Sequence, residues 1–440
     1  MYRPPPAIGR IGGNEVEPLR VGIIGMGGFA GTHHDAVYAL EADGKCQLVC
    51  CCDPGMDTYG ERRHKLGFAA RNVRVFHDYL TMLDTCAGML DVVTIPTPVP
   101  LHAPMHRACV ERGLAVYLEK PPTLDWRELN DMLACEANAT KLTNVGFNFI
   151  VDPLRQDLKR RVAEGEFGPV KRASIIALSP RADKYYARAS WAGRLMLNGR
   201  LVLDSCLGNA MAHHVHNALF WCGDGALWEW GGIREVSAEL YRAHRIEGMD
   251  TVFLRAATER GNELVLAMSH ACEGGNLHEE RVECERATID YIMAWEGTNG
   301  TAARHEIRWN DGRTESRSVQ GLDFLKDNLE AYFAYLQGRA ARPMTGLIDA
   351  RPFVHLNDLA YVAARKINTV PENSIKRMQD SARGTFVAIA DLERICRAFL
   401  NDGAFPSAQQ PTWGGAGGTA TEAELPQLFN TVRTMTAPQD

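Results

Sequence analysis

Arg20-Val21-Gly22-Ile23-Ile24-Gly25-Met26-Gly27-Gly28-Phe29-Ala30 carries a short apolar strand straight into Gly-x-Gly-x-x-Ala and then into a helix. A dinucleotide pyrophosphate fits such a turn. Gly25 permits the tight bend, Gly27 lets the backbone approach a phosphate, Ala30 keeps helix and strand close, and the helix N-terminus offers free N–H groups to an anion. Gly28 and Phe29 complete the loop. The next apolar run, Cys46-Gln47-Leu48-Val49-Cys50-Cys51-Cys52, ends in Asp53, a carboxylate placed to accept from the adenosine ribose hydroxyls, somewhat farther along than the usual spacing of about 20 residues. Strand, helix and strand follow one another without an internal proline, as a βαβ unit demands.

The α/β alternation continues. Asp91–Ile95 reads as a strand closed by Pro96-Thr97-Pro98, His102–Arg112 as a helix, and Gly113–Leu118 as a strand ending at Glu119-Lys120-Pro121-Pro122. A helix over Asp125–Ala137 and a strand over Leu142–Phe149 complete a doubly wound parallel sheet, with ligands expected at its C-terminal strand ends, and the dinucleotide-binding domain is read as residues 18–142, that last strand lying at its boundary. After Asp152 the sequence turns β-rich, with strands at Val170–Ser179, Thr251–Ala256, Leu264–Ala271, Val282–Ala294 and His305–Trp309. Hairpin turns are expected at Arg260-Gly261-Asn262 and Asn310–Arg313. Helices are expected over Leu322–Leu336, Ile348–Ala364 and Ser381–Leu400. Residues 143–408 thus form a second α+β domain with a mostly antiparallel open sheet covered by helices on one face. Residues 409–440 read as an extended surface tail with a short helix near Glu422–Val432.

Composition bounds the function. A net charge of −6 without a lysine or arginine run excludes nucleic acid as a partner. No apolar run is long enough to span a bilayer, and Met1–Leu19 has no apolar leader core, so a cytoplasmic location is expected. The twelve cysteines contain no Cys-x-x-Cys pair and read as small apolar residues in a reducing compartment. No metal is expected: His213-His214-Val215-His216 could suggest zinc, but neighbouring histidines on a helix point apart. Runs such as Leu264-Val265-Leu266-Ala267-Met268 are too apolar for a wet sheet face, which predicts homodimers or homotetramers through the C-terminal sheet.

Gly25 to Ala30 with His33, Thr97-Pro98 with His102, Glu119-Lys120-Pro121, and Val145-Gly146-Phe147-Asn148 together resemble the glucose-fructose oxidoreductase, inositol dehydrogenase and rhizopine-catabolism family, over about residues 19 to 370. The resemblance implies an NAD(P)-dependent dehydrogenase acting on a secondary alcohol of a sugar, sugar acid or cyclitol, with the site between the two domains. It implies a cofactor site of Gly25, Gly27, Gly28, Phe29, Ala30, Asp53, Thr97, Pro98, His102, Glu119, Lys120 and Asn148. Lys120 would reach the nicotinamide ribose and the reacting oxygen, His213 would be the general base, and Asn209 stands where the family has a supporting aspartate. With Asn209 and His213 four apart on one helix, the amide would orient the imidazole without stabilising its charge, and Asn209→Asp would raise the His213 pKa. A glycosidase using transient oxidation, or a sensor that binds without turnover, are the alternatives. NAD is expected over NADP, because Asp53 would repel a 2′-phosphate and no arginine follows before Arg62. Pro180–Arg194 is rich in aromatic and guanidinium groups suited to a polyhydroxylated small molecule, which makes Tyr186, Arg188, Trp191 and Arg194 candidate substrate contacts.

Overall fold

The computed structural model describes residues 17–295 and 301–436; the N-terminal stretch up to Val16 and the last four residues lie outside them. The first unit alternates β1 (Leu19–Ile24), α1 (Ala30–Ala42), β2 (Cys46–Cys52), α2 (Gly60–Lys65), β3 (Arg74–Phe76), α3 (Tyr79–Cys86), β4 (Val92–Ile95), α4 (His102–Val110), β5 (Ala115–Leu118), α5 (Trp126–Glu136) and β6 (Asn144–Val145). The strands pair in parallel in the order β3-β2-β1-β4-β5-β6. Every residue of β4 and β5 is buried, because helices cover both faces of a parallel sheet. Val21, Ile23 and Cys51 face Val37 and Leu40 of α1, whereas Ile24, Val93 and Ile95 face Met82, Met105 and Leu129 of α3, α4 and α5. Asp78 and Asp125 begin α3 and α5 by accepting from the Thr81 and Arg127 amides.

The second unit opens with α6 (Pro153–Ala163), β7 (Val170–Leu178), α7 (Asp183–Tyr186), the small hairpin β8 (Met196–Leu197) and β9 (Arg200–Leu201), and α8 (Ala212–Cys222). The strands β10 (Ile233–Arg242), β11 (Thr251–Thr258), β12 (Glu263–Ser269), β13 (Leu277–Cys284), β14 (Ala287–Trp295), β15 (Thr301–Trp309) and β16 (Thr314–Leu322) follow. Then come α9 (Phe324–Leu336), α10 (Leu347–Ala364), β17 (Asn368–Thr369), the hairpin β18 (Ile375–Asp380) and β19 (Gly384–Ile389), α11 (Leu392–Asp402), α12 (Pro406–Gln409), β20 (Gly418–Thr421) and α13 (Leu428–Thr436). The large sheet runs β16-β15-β14-β13-β7-β12-β11-β10-β17, with β20 also on β10; only β12 with β7 and β10 with β17 pair in parallel. Gly261 and Gly312, at positive φ, turn the two hairpins read from the sequence. Although α9 follows the large sheet in the chain, its Leu325, Leu329 and Phe333 pack on the first sheet beside α1.

Three expectations are corrected. Residues 381–400 do not form one helix: Gly384–Ile389 pairs antiparallel with β18, and the helix begins only at Leu392. The segment after Gln409 is not a loose tail, since Ala420 of β20 is buried on the edge of β10 and Trp413 is 3% exposed. Nor does β12 leave a free apolar face. Leu264, Leu266 and Met268 join the core formed with α8 and α10, whereas Val265 and Ala267 are covered by Ile395 and Phe399 of α11, Val387 and Ile389 of β19, and Trp413.

Candidate active site

The loop between β1 and α1 is built as its sequence requires. Gly25 has φ +132°, a conformation that favours glycine, and a Cβ there would stand 3.0 Å from the Ala30 methyl, so residue 30 must be small. Gly28 also has positive φ and faces open space, and Phe29 is half exposed. Two histidines of α1 hold the loop. The ring of His34 donates from Nε2 to the Gly25 carbonyl at 2.9 Å, and burial lowers its pKa to about 4, so it is neutral. His33 Nε2 lies 2.9 Å from Glu119 Oε1, tying α1 to the end of β5. Asp53 accepts from the Met26 and Gly55 amides at 2.9 and 2.8 Å and so braces the glycine loop from the end of β2.

At the ends of β4 and β5, His102 is enclosed, with Nε2 2.7 Å from the Thr97 carbonyl and Nδ1 2.9 Å from that of Pro121. It ties the Thr97-Pro98 loop to the Lys120-Pro121 loop and has no ring nitrogen left for a ligand. Its pKa is lowered by burial, against the pull of both carbonyls. Glu119 is buried and accepts from the Lys120 amide. Asn148, 5% exposed at the turn after β6, keeps a buried Oδ1 without a partner among the described residues. An orphaned carbonyl of this kind is a ready acceptor for a polar ligand.

Lys120 extends from this strand end into the second unit, where Nζ donates to the Asn209 carbonyl at 2.9 Å. Burial lowers its pKa, opposed by Glu119 and Asp204 and reinforced by Arg181 and Arg188. Asp204 is the residue that the sequence reading passed over. Its carboxylate accepts from Asn209 Nδ2 and from the Gly193 amide, both at 2.7 Å, and stands 3.6 Å from the Arg188 guanidinium. The signal was its place five residues before Asn209 in the same polar string.

Asn209 does not support His213 as the helical spacing predicted. Residues Cys206–Ala210 form a π-turn, Met211 leaves helical geometry at φ −108° and ψ 21°, and α8 starts only at Ala212. The i,i+4 alignment is therefore lost, and the amide turns to Asp204. His213 instead stacks on Phe149, with ring centroids 4.3 Å apart, and its Nδ1 is buried without a partner among the described residues. Burial, followed by the Lys120 charge, holds its pKa well below the ordinary histidine value. His214 turns to the His278 ring at 3.9 Å, and His216 is a core residue stacked on Phe147 at 4.0 Å.

The candidate substrate residues divide. Arg188 lies over the rings of Tyr185 at 3.7 Å and Trp191 at 4.7 Å while it faces Asp204, so Arg188 and Trp191 join the Lys120 cluster. Tyr186 packs against His244 at 4.9 Å, its hydroxyl buried and without a partner among the described residues. Arg194 is directed away, to Glu247 at 3.0 Å.

The model of an oxidoreductase family with an NAD-binding Rossmann fold matches residues 19–147. Inositol 2-dehydrogenase 4 of Saccharopolyspora erythraea is 30% identical over 151 residues, which are 34% of this chain and 42% of that protein. D-glucoside 3-dehydrogenase of Escherichia coli is 30% identical over 163 residues, 37% of this chain and 44% of that one. The chain thus spans less than half the length of these curated relatives. Solved structures reach across both units. Levoglucosan dehydrogenase, in complex with NADH, aligns with a TM-score of 0.63 at 19% identity over 78% of this chain and 96% of its own. The WlbA dehydrogenase of Bordetella pertussis, in complex with NADH and UDP-GlcNAcA, aligns at 0.61 and 20% identity over 78% and 96%. These likenesses show the shared two-unit fold.

Proposed function

We propose that the chain, whose residues 19–147 match the model of an oxidoreductase family with an NAD-binding Rossmann fold, is an NAD-dependent dehydrogenase acting on a secondary alcohol of a sugar, sugar acid or cyclitol. The observation that carries this reading is the meeting of Lys120, from the end of β5, with the Asp204–Asn209 string at the start of the histidine helix.

The residues present fit the dinucleotide: a glycine turn with open space at Gly28, and an orphaned acceptor on Asn148. Its nicotinamide, bound at the ends of β4 to β6, would supply the hydride acceptor. The rest is the work of the chain. His213, neutral because its surroundings disfavour the charged ring, takes the proton of the substrate hydroxyl. The Lys120 ammonium stabilises negative charge developing on that oxygen. Asp204 and Arg188 hold neighbouring hydroxyls by accepting and donating, and the Trp191 face supports the guanidinium. Relatives that bear the names inositol 2-dehydrogenase and D-glucoside 3-dehydrogenase support the polyol class.

A panel of sugars, sugar acids and inositols, followed by NADH absorbance beside a search for copurifying cofactor, tests the reading. NADH should accumulate with at least one polyol. Normal NAD binding without turnover on any of them would replace the enzyme by the sensor.

All twelve cysteines are free thiols, which supports a reducing, cytoplasmic setting; among the described residues no helix is long and apolar enough to cross a membrane. Self-association through the C-terminal sheet, as dimer or tetramer, would use the face of β13 to β15 beside α11, where Glu279, Arg281, Asp290, Arg304 and Glu306 stand. Light scattering distinguishes 48.7 kDa from its multiples.

A further inference from the structure

Two side chains from the segment after β2 lie on the glycine loop. A Cβ on Gly27 would collide with the Tyr59 hydroxyl, and one on Gly31, in the first turn of α1, would collide with both terminal nitrogens of Arg62. Tyr59 also borders Gly55 beside the Asp53 carboxylate, so its ring spans the way from the end of β2 to the glycine loop. Arg20 and Arg71 are paired with Asp91 and Glu41, but among the described residues no ion pair includes Arg62 or the adjacent Arg63, and each has a buried Nε without a partner; of the two, only Arg62 lies on Gly31. The first turn of α1 contains no acidic residue, Phe29 gives it no side-chain cap, and the Arg62 charge reaches far enough to depress His34. A guanidinium and a helix N-terminus therefore share one spot, and among the described residues no anion pairs with them.

We propose that Arg62 is a cofactor-contacting residue that pairs with the 5′-diphosphate of the dinucleotide at the first turn of α1. This rests on the NAD reading above, and it changes the account of selectivity. The adenosine half of the site is not the cation-free surface that the spacing from Asp53 suggested, since the fold returns Arg62, nine positions on, to the glycine loop. Glycine at position 31 is then explained by the guanidinium lying on its backbone. Placement beside α1 points to the diphosphate and not to the 2′-position, which Asp53 guards from the end of β2. Tyr59, filling the approach to Gly27, has to be displaced as the diphosphate arrives.

Calorimetric titrations of the full chain with NAD, ADP, adenosine and NADP, on wild type, Arg62→Gln and Arg62→Lys, test this without any turnover. Arg62→Gln should weaken NAD and ADP alike by about tenfold or more, leave adenosine unchanged, and flatten the salt dependence of ADP binding. Arg62→Lys should recover part of the loss, and melting temperatures should stay close to wild type because no internal ion pair is removed. A loss confined to NADP would assign Arg62 to the 2′-phosphate and overturn the proposal, as would unchanged ADP binding in Arg62→Gln. Wild-type protein that binds neither NAD nor ADP would overturn the NAD reading itself, a result distinct from unequal variants of a binding protein.

Discussion

His213 and Lys120 meet from different units of the chain, and their environments define separate tests. Replacing either by alanine should lower kcat by about 10²-fold or more, the usual cost of removing a general base or an electrostatic stabiliser. Calorimetry should find NAD affinity little changed in His213→Ala. Because burial depresses the His213 pKa, the base is already neutral at pH 6.5, and the acid limb of kcat/KM should lie below that pH, activity falling as the ring gains its proton. Asn209→Asp should leave this limb where it is. The new carboxylate would face Asp204 across the 2.7 Å now bridged by a hydrogen bond, raising the pKa of the acidic pair and lowering the melting temperature at neutral pH. A limb displaced upward in Asn209→Asp would instead mean that residue 209 reaches the imidazole.

At the scale of elements, buried neutral histidines fasten helices to the first sheet. His34 of α1 bonds the Gly25 carbonyl, His106 of α4 lies 2.9 Å from the Thr143 hydroxyl, and burial lowers both rings to a pKa of about 4. Between that value and the ordinary histidine pKa of about 6.5, the unfolded chain binds protons that the folded chain refuses. Stability should therefore be complete above about pH 6.5 and decline as pH falls toward 4, each ring contributing up to about 1.4 kcal/mol per pH unit. Urea titrations across that range should show the decline, and His106→Gln should make it shallower. An unchanged slope in that variant would place the acid sensitivity elsewhere.

For the whole molecule, the decisive packing is that of the C-terminal segment on the large sheet. Phe399 of α11 is fully buried, edge-on to Phe253 at 5.4 Å and against Phe405 at 4.8 Å. Phe399→Ala should cost about 3–5 kcal/mol, the range for deleting a buried aromatic ring. It should also loosen the cover over Val265 and Ala267, so that light scattering finds species larger than those the wild type forms at the same concentration. A variant of undiminished stability would show that α11 is not an integral part of this core.

The sequence by itself determined the dinucleotide fold, because the glycine loop, the apolar strands and the strand-ending Glu119-Lys120 are local patterns whose geometry follows from backbone sterics and burial. It also marked Asn209 and the histidines from His213 to His216, but not their contacts. A π-turn at Cys206–Ala210 moves Asn209 off the face of His213, and nothing in the spacing of residues announces such a turn. β16 was missed because Thr314–Leu322 is a polar edge strand, largely exposed on both faces, with no apolar alternation to read. β18 and β19 stabilise each other by pairing, and the cover they form with α11 exists only against Val265 and Phe253 of distant strands. The same holds for Arg62, whose distance in sequence from Gly31 hides a contact made by folding one crossover over another. Local sterics and burial periodicity act within a few residues and can be read along the chain; partners brought together by topology cannot, because their interaction energy depends on a separation that only the folded chain sets.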